Sequence, residues 1–74
     1  MVNEILKKYL AKYSYLIHEY KAKYPNLDEA SIISDYNITL WQAALVYHPL
    51  DPRFEEYLLV LLDRQIKITN NMNN

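Results

Sequence analysis

Leu40-Trp41-Gln42-Ala43-Ala44-Leu45-Val46-Tyr47-His48-Pro49-Leu50-Asp51-Pro52 reads as the end of one helix and the start of another. Apart from Gln42 and His48, residues 40–48 are apolar all the way round, the pattern of a helix packed between others. Two adjacent alanines allow close helix approach. Trp41, Ala44 and Leu45 are therefore expected in the core. Thr39-Leu40-Trp41-Gln42 has capping-box spacing, which puts the helix start near residue 40. Pro49 stops it. Asp51-Pro52 opens the next helix, with Asp as the cap and proline at the first helical position, where no N–H donor is needed.

Working toward the C-terminus, a helix runs from Pro52 to about Lys67. Phe54, Tyr57, Leu58, Leu61 and Leu62 form its main stripe, with Leu58 and Leu61 assigned to the core. Leu59 and Ile66 widen the apolar arc to roughly 200° at 100° per residue, twice what a surface helix of a monomer needs. Val60 lies among charged positions. The tail, 69–74, is polar and rich in Asn, so it is expected to be a disordered end to a single helical domain spanning 1–68.

Toward the N-terminus, residues 3–24 read as one long helix. Leu6, Tyr9, Tyr13, Leu16 and Tyr20 step by three and four, and Tyr13 and Leu16 are core positions. Tyr15 points away from this stripe. Pro25 ends the helix by disfavouring helical torsions at Tyr24. Asn26 followed by Glu29 resembles a capping box, so a short helix is expected over 27–36. Asn37 is the expected left-handed residue at its end, the role glycine usually takes. No segment alternates with period two. The fold class is all-α: a compact bundle of three or four helices with no sheet. Its second and third helices would meet in a helix-turn-helix-like corner.

The 74 residues contain no cysteine, so neither disulfides nor a thiolate zinc site can staple the fold. They contain no glycine either, where average usage gives roughly five. Any position needing positive φ must then be met by Asn, Asp or strain, which disfavours tight hairpins and glycine-rich phosphate loops. At 51% apolar and 23% charged, the composition is globular and not disordered. The N-terminus lacks a basic stretch followed by a long apolar run, so no secretory leader is expected. The longest apolar run, 57–62, is far short of a membrane span. A cytoplasmic chain is the expectation.

The net charge of −1 hides an asymmetry. Residues 1–24 carry +3. Residues 25–51 carry −4, from Asp28, Glu29, Asp35 and Asp51, and hold no Lys or Arg. That bears on the one suggestive motif, the corner at 27–48, which resembles a DNA-binding helix-turn-helix. Phosphate neutralisation supplies much of the affinity for DNA, and this segment has no cation. Base edges are read by Arg, Asn or Gln, and helix 40–48 offers only Gln42. The lysines of the first helix are spread and interleaved with glutamate, as on a solvated face.

Catalysis and metal binding find little to work with. His18 and His48 sit on different helices with no ligand partner at metal spacing. Ser14, Ser31 and Ser34 have no acid–histidine constellation around them. Glu55-Glu56 are adjacent and so diverge on a helix surface. The expectation is a non-enzyme without metal or cofactor: a small protein-interaction module, of the regulatory or accessory kind common in phage and plasmids, that binds a partner protein stoichiometrically through helical faces. The interface is expected at Leu59, Val60, Leu62, Ile66 and Tyr15, with a homodimer as its first form. Two alternatives remain open, a small DNA-binding regulator and a structural or assembly subunit. Membrane contact is not expected.

Overall fold

The computed structural model describes residues 2–72, with side chains for residue 4 and residues 7–72. Four helices result: α1 Val2–Lys12, α2 Tyr15–Lys23, α3 Glu29–Val46 and α4 Pro52–Met72. No described residue lies in a strand. The all-α bundle read from the sequence is the fold of the chain, drawn out to 38 × 18 × 15 Å.

The seam between α3 and α4 organises it. Phe54, Leu58, Leu62 and Ile66 step by four along α4 and are all buried. Ile32, Tyr36 and Leu40 make a matching row on α3, with Ala43 at its end. Rows spaced by four are the ridges by which helices interlock. Each fully buried aliphatic side chain contributes roughly 1.5–3 kcal/mol. Tyr9, Tyr13, Leu16 and Leu27 close the core from the α1–α2 side. Tyr9 and Tyr13 each tilt against Phe54 at 6.2 Å between ring centroids. The Tyr36 hydroxyl donates to the carbonyls of Leu10 and Tyr9, tying α1 to α3.

The long first helix expected over 3–24 is two helices. At Tyr13-Ser14 the backbone tightens: Ser14, Leu16 and Ile17 each bond back three residues. The Ser14 hydroxyl also donates to the Ala11 carbonyl at 2.8 Å. A serine bonding back onto its own helix competes with the main-chain ladder and bends it. Tyr13 and Leu16 are buried as expected; Leu6 lies outside the described side chains.

The corner between helices is also displaced. Residues 29–46 form one uninterrupted helix, so no turn exists at Asn37-Ile38. Thr39 does not cap. Its hydroxyl donates to the carbonyls of Asp35 (2.8 Å) and Tyr36 (3.1 Å) and is satisfied in mid-helix. Asn37 is helical, and no described residue has positive φ. The corner lies instead at 24–28, between α2 and α3. There the N-cap is Asp28 and not Asn26. The Lys21 ammonium donates to the carbonyls of Pro25 and Leu27, strapping the turn without glycine.

Asp51 caps α4 as expected, accepting the Arg53 N–H at 2.9 Å. The helix does not end near Lys67. It continues to Met72, because Thr69 finds a partner: its hydroxyl donates to the buried Asp35 carboxylate at 2.6 Å. Residues 69–72, read from the sequence as the start of a polar tail, form the last turn of α4; residues 73 and 74 lie outside the described residues.

Thr69→Val removes that donor and leaves a buried carboxylate one partner short. It is expected to cost about 1–3 kcal/mol and to speed amide exchange across 67–72. Chemical denaturation and hydrogen exchange measure the two effects. A pH series probes the rest. Burial, with Asp63 beside it, pushes Tyr20 up to about 12. Burial likewise pushes Tyr36 up to about 12, aided by Tyr13 and Tyr15. Both pKa values are raised, so their stabilisation is full below the ordinary value of 10.0 and is lost as pH rises through about 12. Hydrogen bonds from the Arg53 side chain and backbone hold Asp51 at about 2. Its contribution is present above the ordinary 3.8 and lost as pH falls through about 2. Tyr36→Phe should remove its own share of the alkaline loss, leaving that of Tyr20, and leave the acid side unchanged.

Candidate interaction surface

The core-facing row of α3 takes up one side of that helix. At 100° per residue, Ile38, Trp41 and Leu45 lie roughly 150° or more from the centre of the row. They are accordingly exposed: Ile38 by 49%, Trp41 by 47% and Leu45 by 83%. Trp41 and Leu45 were expected in the core, and the structure corrects this. An apolar circumference implies burial on every side only when neighbours surround the helix. Here α1, α2 and α4 all pack on one side of α3. Ala44 and Leu61, also assigned to the core, are half-buried, while Leu58 is fully buried.

The exposed stripe continues onto α4. Gln42 of α3 and Leu61, Arg64, Gln65 and Ile68 of α4 line a shallow groove of about 260 Å³. The antiparallel course of the two helices brings these residues together, with the Asp35–Thr69 bond at one end of the pair and the Asp51 cap near the other. From Tyr36 to Tyr47 the chain carries no charged side chain. The groove has one cation, Arg64, at its edge. What this arrangement offers chemically is apolar contact area with the Gln42 and Gln65 amides and the Trp41 indole N–H as polar handles.

The residues assigned to an interface from the sequence do not form one surface. Leu62 and Ile66 are buried inside the chain, filling the α3–α4 seam. Only the centre of the wide apolar arc of α4 is used up by packing within the chain; Leu59 at its edge stays exposed. Leu59 sits at the edge of a small groove with Leu16, Glu19, Tyr20 and Lys23. Val60 is exposed beside Tyr47, Arg53, Glu56 and Tyr57. Tyr15 is exposed on α2. The face that does exist was legible as apolar residues spaced three and four apart at 38, 41 and 45. The misplaced break at Asn37 hid it by putting Ile38 in a turn.

Several charged and aromatic side chains elsewhere are held in local pairs. Arg53 binds Asp51 through two nitrogens, at 3.1 and 2.8 Å, and lies 4.7 Å from the centroid of the Tyr47 ring. Tyr47 in turn meets Tyr57 edge-on. Lys67 pairs with Asp63 at 2.9 Å, which holds the Asp63 carboxyl below its ordinary range. Lys12 lies over the rings of Tyr9 and Tyr13. The uninterrupted α3 removes the turn on which the helix-turn-helix reading rested, and α3 has no Lys or Arg. Among the described residues, no three His, Asp or Glu gather as a metal site would require, and no helix is long and apolar enough to cross a membrane.

No protein-family model, curated protein or solved structure matches this chain, so its function has to be read from the surface just described.

Proposed function

We propose that the chain is a small protein-interaction module, acting by stoichiometric binding through the outer face of α3 and the adjoining side of α4. The observation that carries this reading is the exposure of Ile38, Trp41 and Leu45 together on one uncharged helix face. Scattered surface leucines need no explanation, but a contiguous apolar stripe rimmed by polar groups marks an interaction site. Tryptophan is also among the residue types most enriched where binding energy concentrates. A regulatory or accessory role, of the phage or plasmid kind, fits the size and simplicity of the chain by analogy alone. A cytoplasmic setting belongs to the same proposal, since a chain without cysteine gains nothing from an oxidising compartment.

Two measurements test the surface. Leu45→Lys in dilute protein is expected to change folding stability by no more than about 0.5 kcal/mol. Leu62→Ala is expected to cost about 2–5 kcal/mol. A photo-reactive residue in place of Ile38 or Leu45 should cross-link to a protein, a second copy included, inside cells that make the chain. The same residue in place of Lys8 or Glu56 should not. Equal yields at all four positions, or none at 38 and 45, would remove the proposal.

A further inference from the structure

We infer that the occupant of this face is a second copy of the chain, related by a two-fold axis passing between Trp41 and Gln42, with the two α3 helices antiparallel. The inference rests on the reading of the α3–α4 face as a protein-binding surface and names its partner.

Charge is the first argument. A two-fold contact brings each residue near its own copy or near a symmetry-related neighbour, so any net charge on the face meets like charge. Between Tyr36 and Tyr47 there is none to meet. Asp35, the nearest acid on α3, is buried and bonded to Thr69. A strongly acidic or basic partner finds no complement on this stripe. An identical copy finds no repulsion along the α3 stripe; Arg64, the one cation of the adjoining groove, belongs to α4.

Spacing is the second. In an antiparallel pair centred between residues 41 and 42, Leu45 of one chain faces Ile38 of the other, and Trp41 faces Gln42. The most exposed leucine thus meets the most exposed isoleucine among the described residues, twice. The polar handles also match. The indole N–H of Trp41 is a donor without acceptor capacity, and the Gln42 side-chain carbonyl is an acceptor, so the face carries its own hydrogen-bond complement. Leu61 and Ile68 of α4 extend the contact sideways, giving a layer of four helices.

Size is the third. A long side of this molecule measures 38 Å by 15–18 Å. That is of the order of the roughly 800 Å² per partner buried in specific interfaces. The stripe at 38, 41 and 45 runs along α3, one of the two longest helices, so a copy laid antiparallel can cover it.

The test uses the 74-residue chain. Sedimentation equilibrium from micromolar to near-millimolar protein should show the mass rising from 8.9 kDa to twice that value. The emission of Trp41, the sole tryptophan, should shift to the blue in step with the mass. Leu45→Lys and Ile38→Glu each place a charge in the contact twice. Each alone should raise the dissociation constant by about a hundredfold, a factor of ten per copy, with helicity kept. Mixed together, the two variants should associate again. In the mixed pair the introduced lysine of one chain faces the introduced glutamate of the other, and the second contact keeps its native Leu45 and Ile38.

Failure has three distinct forms. A chain that stays at 8.9 kDa, with solvent-like Trp41 emission at every concentration, overturns the second copy as occupant. The face itself is then judged by the cross-linking experiment. Variants that dissociate singly but do not reassociate when mixed overturn the antiparallel pairing. A dimer indifferent to both variants but abolished by Val60→Lys overturns this inference, and the α3–α4 face is again judged by the cross-linking experiment.

Discussion

Everything else in this structure depends on two rows of side chains locking along one line. Phe54, Leu58, Leu62 and Ile66 recur every fourth residue of α4, and Ile32, Tyr36 and Leu40 recur every fourth residue of α3. Two such rows can interdigitate at only a few relative positions. The register is pinned at both ends by polar contacts, Thr69 to Asp35 at one and the Asp51 cap near the other. With the seam set, α1 and α2 have one surface left to cover. They cover it with Tyr9, Tyr13 and Leu16. The outer side of α3 is what remains, and no fifth element exists among the described residues to close it.

The sequence was legible where a pattern had one physical meaning. The Leu58, Tyr13 and Leu16 positions, the Asp51-Pro52 start and the all-α class could be read directly, whereas Leu62 and Ile66 of the same α4 row were read as an interface and are core. It was ambiguous where a polar side chain had two possible partners. Ser14 and Thr39 can cap a new helix or bond backward onto their own, and both do the second. Thr69 looked like the start of a polar tail because its partner, Asp35, is 34 residues away. The apolar character of Trp41 and Leu45 was equally plain. Which side of α3 would be covered was not, since that depends on where the other three helices pack.

An uncharged face has a kinetic character of its own. Electrostatic steering can raise association rates by orders of magnitude, but it requires net charge on the approaching surfaces. The lysines of α1 and α2 and the acids at the start of α3 do not lie on the stripe at 38, 41 and 45. Binding there should proceed at the roughly 10⁵–10⁷ M⁻¹s⁻¹ typical of unsteered docking and depend little on salt. Selectivity then comes from shape and from the few polar handles, and differences between partners appear in how long they stay.

Every described backbone torsion φ is negative, and the chain has no glycine to require otherwise. The consequence reaches the unfolded ensemble. Glycine widens the range of conformations open to a denatured chain, and each Gly→Ala change at a compatible site stabilises a fold by about 0.4–1 kcal/mol by narrowing it. A chain of this length with average composition would hold roughly five glycines. Their absence is therefore worth on the order of 2–5 kcal/mol of conformational entropy that folding need not overcome. That is comparable to what one disulfide gives other small domains. A chain without cysteine is thus stabilised partly through the state it leaves behind.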